Sequence, residues 1–243
     1  MENMNLNNNN YYQYDFDSSY APAVTLNQYI SRTFGWMFLG LLATFAVAVA
    51  LSLSGYVYYI FAIPYALPVV TVAELAVVIF FSTSILKRSV AVTRTLFFAY
   101  AILTGVVMSA YFLIFEVANL IVIFGLTALF FGAFALYGRF TTTDLSRLRP
   151  LLLGGLIFLV IAGLLSLFIN LSAFERIICM VGIVVFLCFT AYDTQKIKAN
   201  YEYFYGNDEM LQKASIFSAL QLYLDFINLF LYLLRFLGRN SRR

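Results

Sequence analysis

Long apolar runs without charge, broken by short clusters of polar residues, set the rhythm of this chain. Thr33 to Ala73 carries no charged residue, which is about twice the ~20 residues that cross a bilayer as a helix. The run therefore predicts two spans. The break falls between Ser52-Leu53-Ser54-Gly55 and Pro64 to Pro68, where Tyr56, Tyr58, Tyr59, Phe61 and Tyr65 cluster, as aromatics do at a membrane–water interface. Helices are predicted over about 34–53 and 68–86, joined by an aromatic hairpin. Later runs predict helices over about 95–115, 118–137, 150–169, 177–198 and 215–235. Ala128 and Gly132 have the small-xxx-small spacing that permits close helix approach. The fold class is an all-α integral membrane protein with seven transmembrane helices. Residues 1–30, with the Asn7 to Asn10 tract and the polar aromatic stretch Tyr11 to Phe16, lack periodicity and read as a disordered polar tail. The membrane domain takes 31–243.

Composition narrows the chemistry. The chain is 63% hydrophobic and 11% charged, against the roughly 25% charged of a soluble domain. Histidine is absent, which excludes a histidine-based triad, histidine-ligated zinc or haem, and imidazole pH sensing. Cys179 and Cys188 fall on opposite sides of one helix and read as small apolar residues. The net charge of +3 is too small and dispersed for a nucleic-acid partner. No basic segment precedes the first apolar run, so that run is expected to be its own targeting signal. Lys and Arg orient the spans. With the N-terminus cytoplasmic, Arg32, Lys87, Arg88, Arg94, Arg139, Arg147, Arg149, Lys196, Lys198 and Lys213 lie inside. Arg176, Arg235, Arg239, Arg242 and Arg243 lie outside. The basic C-terminal tail is the exception, and seven full spans are favoured over a re-entrant last segment.

Two carboxylates break the apolar pattern. Asp193 closes the sixth run, in Ala191-Tyr192-Asp193-Thr194-Gln195-Lys196, and Asp225 lies within the seventh. An ionisable group at membrane depth costs about 2.5–3.5 kcal/mol on insertion scales. In the last helix Gln221, Asp225, Asn228 and Tyr232 are spaced 4, 3 and 4, which puts them on one face. A helical ruler places Asp193 about 26 Å along its helix, and Asp225 about 13 Å from the same membrane edge. Tilt absorbs the turn or two between them. Two carboxylates sharing a dry site cannot both ionise cheaply, so they titrate as a pair and hold a proton or a cation. Calcium takes six to eight oxygen ligands; two aspartates with Gln221, Asn228 and water would make a weak site suited to permeation. Lys196, Arg88 or Lys87 could supply a counter-charge instead. Taken alone, Asp193 also reads as the first residue of a solvated loop. Glu74 in the second span reads either as a supporting polar group or as a side chain snorkelling to the interface.

With Leu222-Tyr223-Leu224-Asp225-Phe226-Ile227-Asn228-Leu229-Phe230, Leu234-Arg235-Phe236-Leu237-Gly238, Glu74-Leu75, Leu136-Tyr137-Gly138 and Thr143-Asp144-Leu145-Ser146, these motifs resemble the bacterial branch of the Bax inhibitor-1 family over about 33–238. The resemblance implies six helices wrapped around a central C-terminal helix. It also implies a pH-sensitive calcium leak governed by an aspartate pair that maps to Asp193 and Asp225, with the family's acidic residue of the second helix at Glu74. One departure stands out: the position where relatives carry an arginine facing the pair is Ser84, with Lys87 and Arg88 a turn further on.

The expected function is thus a non-enzymatic cation leak in the bacterial inner membrane, with calcium and protons as its ions. No other cofactor is expected, and the protein is expected to be a monomer or weak oligomer. A non-conducting regulator of a membrane protease or channel is the alternative. An intramembrane aspartyl protease is remote, because Gly-x-Gly-Asp and Pro-Ala-Leu motifs are missing. A retinal protein is excluded, because the last span has no lysine for a Schiff base.

Overall fold

The computed structural model describes residues 24–84, 88–166 and 169–238, apart from the side chains of 67, 68, 71, 75 and 82–84. Most of the segment read as a disordered tail, residues 1–23, therefore lies outside the described residues. The first helix, α1 (Leu26–Ser54), begins well before the apolar run. Its start is fixed by a reciprocal cap: the Gln28 amide donates to the Thr25 hydroxyl (3.3 Å), and the Thr25 amide donates to the Gln28 side chain (3.0 Å). Gly55, at φ 75°, ends the helix in the left-handed conformation that glycine adopts without strain. The aromatic hairpin contains a short helix, α2 (Tyr56–Ala62), before α3 (Ala66–Ser84).

Ser89 caps α4 (Val90–Ile114), and a two-residue turn leads to α5 (Val117–Phe140). A 3-10 turn at Leu145–Leu148, capped by Asp144, feeds α6 (Arg149–Leu165), with Pro150 in its first turn. The last two helices are α7 (Glu175–Tyr203) and α8 (Asp208–Leu237). Among the described residues, six segments are long and apolar enough to cross a membrane: α1, α4, α5, Leu145–Leu165, α7 and α8.

Lipid is as apolar as a helix core, so packing contacts and interhelical hydrogen bonds hold such a bundle together. α8 packs against α1, α4, α5 and α7, and its side chains are buried on nearly every side from Leu211 to Leu234. The Ser215 hydroxyl on α8 lies 3.0 Å from Thr33 on α1, and Tyr223 Oη lies 2.6 Å from Thr44 Oγ1. Thr44 in turn donates to the Ala101 carbonyl of α4 at 2.9 Å, which leaves Tyr223 as the donor to Thr44. Each such interhelical bond contributes about 0.6 kcal/mol on average.

The close approach expected at Ala128 and Gly132 is not found. Ala128 is exposed, and a Cβ on Gly132 would meet nothing within 4 Å. The buried face of α5 runs instead through Leu120, Ile123, Thr127, Phe131, Ala135 and Gly138. Its tightest point is Gly138, where an added Cβ would collide with the Ala191 carbonyl of α7.

A candidate ion site at a buried carboxylate pair

α7 does not end at Asp193. It runs on to Tyr203, so the carboxylate is held inside a helix on the face shared by Thr190, Thr194, Ile197 and Tyr201, and it does not open a loop. Asp193 is 6% exposed, and Asp225, midway along α8, is 4% exposed. The two carboxylates act on each other electrostatically across the α7–α8 contact. Each keeps one buried oxygen, Asp193 Oδ1 and Asp225 Oδ2, without a hydrogen-bond partner among the described residues. Groups buried in this way are costly unless a proton, ion or water satisfies them.

Of the two counter-charges among the described residues, Lys196 and Arg88, Lys196 is the one brought to the pair. Its half-buried ammonium acts on both aspartates, donates to Gln221 Oε1 at 3.5 Å and lies 6.0 Å from the Phe217 ring centre. Arg88 lies over the Phe80 ring, 5.1 Å from its centre. Lys87 and the side chain of Ser84 lie outside the described residues. Asn228 donates to the Leu224 carbonyl of its own helix at 2.8 Å. Glu74, half-buried, lies elsewhere, in the neighbourhood of Thr104 and Tyr100 of α4 and Tyr223 of α8.

No group of three or more Asp, Glu, His or Cys side chains capable of holding a metal occurs among the described residues. A calcium ion at the pair would therefore draw most of its six to eight oxygens from water, amide and backbone carbonyl groups. Two such ligands fit a transient stop better than a storage site.

Gln195 carries a role that the sequence reading missed. Its Nε2 donates to the Thr143 carbonyl at 2.8 Å, and its Oε1 accepts from the Leu145 amide at 2.9 Å. This side-chain clasp pins the α5–α6 loop to α7, two residues after Asp193. Asp144, within the clasped loop, is held below the ordinary carboxylate range by the Ser146 hydroxyl and amide. A cavity of about 820 Å³ lies beside the loop, walled by Thr194, Gln195, Arg139, Asp144 and Lys198. Gln195→Ala is expected to speed hydrogen exchange of the Thr143–Leu148 amides roughly 5- to 30-fold, the loss of two hydrogen bonds. Unchanged exchange there would remove the clasp from the account.

Among the described residues, six membrane-length apolar helical segments, with a carboxylate pair buried between two of them, define a class: membrane proteins that hold ionisable groups inside a helix bundle. The family model described as "Inhibitor of apoptosis-promoting Bax1" matches residues 26–242, and the chain belongs to the Bax inhibitor-1 family. It is 40% identical over 224 residues to the inner membrane protein YbhL of Escherichia coli, covering 91% of this chain and 96% of that one. An uncharacterized protein of Rickettsia prowazekii is 38% identical over 214 residues, covering 88% and 90%. A third, from Borreliella burgdorferi, is 35% identical over 214 residues, covering 88% and 92%.

Proposed function

We propose that this protein is a pH-sensitive leak path for calcium or a similar cation, with Asp193 and Asp225 as its proton and cation switch. The observation that carries the proposal is the pair itself: two buried carboxylates on packed helices, near enough for one to feel the charge of the other, each with an unsatisfied oxygen. Either a proton or a cation can satisfy such oxygens, and competition between the two makes ion passage depend on pH. Lys196 is the counter-charge in this reading and takes the place of the arginine that family members carry at Ser84. Gln221 enters through its contact with Lys196. The relatedness to an Escherichia coli inner membrane protein supports an inner-membrane location. The excess of Lys and Arg at one end supports a cytoplasmic N-terminus. In this arrangement α3 is the seventh span, and α1, α4, α5 and α7 pack against α8.

The test is calcium flux in liposomes containing the full chain, between about pH 5.5 and 8, the window in which a desolvated carboxylate pair titrates. Flux is expected to vary with pH, and Asp193→Asn and Asp225→Asn are each expected to abolish that variation. Flux that rises in acid would assign a charge latch involving Lys196; flux that falls in acid would assign competition between proton and cation. If both variants leave flux and its pH profile unchanged, the proposal fails and the regulator reading takes its place.

A further inference from the structure

Away from the carboxylate pair, a groove of about 440 Å³ opens between α1, α4 and α8, at the end of the bundle where all three helices begin. Arg32 and Arg94 are both exposed along it, and its lining contains no acidic residue. Among the described residues neither arginine forms an ion pair. Arg94 is nonetheless held in place. Its guanidinium lies 5.4 Å from the centre of the Trp36 ring, and Nη2 donates to Gln212 Oε1 at 3.2 Å. One of five N–H donors is thereby used, and the rest of a planar fork faces an open groove. Arg32 stands one helical turn before Trp36 on the same face of α1. The groove continues onto Leu39, which is exposed, as is Leu42 beyond it.

Two unpaired guanidinium groups, one pre-oriented, match the geometry of a phosphate group. The apolar continuation matches an acyl chain, and Trp36 stands one turn beyond Arg32, at the start of the uncharged run, where tryptophan favours the membrane–water interface. We infer that this groove binds the phosphate of an anionic glycerophospholipid, with the acyl chain laid along Leu39 and Leu42 of α1. The inference does not rest on ion conduction, and its test does not measure it.

Trp36 is the single tryptophan of the chain, so its fluorescence reports this groove alone. The full-length protein in phosphatidylcholine bilayers is titrated with brominated phosphatidylglycerol or brominated phosphatidylcholine, whose bromines quench tryptophan on contact. Expected is a preference of up to about 30-fold for the anionic lipid at Trp36, from two basic groups at the headgroup level. That preference should fall to near unity in Arg32→Gln/Arg94→Gln and persist in Arg147→Gln/Arg149→Gln, whose basic groups line no part of the groove. Arg32→Lys/Arg94→Lys, which keeps the charge, should retain part of it and shows that the fold survives substitution there. Equal quenching by both lipids in the unmodified chain overturns the inference. So does an equal loss in the two glutamine pairs, since that reports general surface charge. A preference abolished by millimolar inorganic phosphate, but not by chloride at equal ionic strength, assigns the groove to free phosphate and overturns the lipid.

Discussion

Asp225→Asn is expected to raise the thermal unfolding midpoint of the detergent-solubilised protein by about 2–8 °C while removing the pH response proposed for the pair. Asparagine keeps the shape of the side chain and one acceptor oxygen, and it discards a charge that the interior does not satisfy. It also adds a donor in the neighbourhood of Asp193, which carries an unpartnered oxygen of its own. An aspartate at membrane depth costs about 2.5–3.5 kcal/mol. Recovering about 1–2 kcal/mol of that, at about 2–4 °C per kcal/mol for a chain of this size, gives the quoted range. The gain should be largest in alkaline solution, where both carboxyls are ionised, and should vanish where both are protonated. A lower midpoint in alkaline solution would mean that attraction to Lys196 outweighs desolvation, and that the charge holds α7 to α8.

Gly138→Val is expected to cost at least about 3 kcal/mol, the upper end for forcing bulk into a packed interior. It should lower the midpoint by roughly 6–12 °C and reduce the recovery of monodisperse protein in size-exclusion chromatography. The obstacle is the Ala191 carbonyl, a backbone group of α7 that cannot rotate aside as a flexible side chain would. Relief requires α5 and α7 to separate, and Ala191 is two residues from Asp193. Gly132→Val, on the same helix but facing open space, is the control and should change stability by less than about 0.5 kcal/mol. If the two variants behave alike, the α5–α7 contact is not as tight as described.

The contrast between Gly132 and Gly138 shows where sequence reasoning reaches its limit in a bilayer. Apolar periodicity separates core from water, but lipid and protein interior are equally apolar. The side of α5 that meets α7 therefore carries no hydropathy mark. For the same reason the 4-3-4 stripe on α8 located Asp225 but did not reveal that nearly all of α8 is buried. The pair was legible because charge is rare at that depth and two such residues sat in consecutive helices. The start of α1 was misread because Asn27, Gln28 and Arg32 are polar, although the Thr25–Gln28 cap was present in the sequence. Gln195 offered only a polar residue at a helix end; its partners, Thr143 and Leu145, are some fifty residues away and belong to a loop without periodicity. Glu74 was visible as a carboxylate, but its neighbours on α4, Tyr100 and Thr104, carried no mark of that in the sequence.

Asp193 and Gln195 stand two positions apart on α7, about 200° around the helix axis, so one faces α8 while the other grips the α5–α6 loop. α7 therefore works as a rigid axle with a fitting on either side. Any turn that swings Asp193 away from Asp225 drags Thr143 and Leu145 with it or breaks their two bonds. If the proposed switch turns α7, a fluorophore on the α5–α6 loop is expected to change its signal with pH in wild type and not in Asp193→Asn, without an ion having to cross the bilayer.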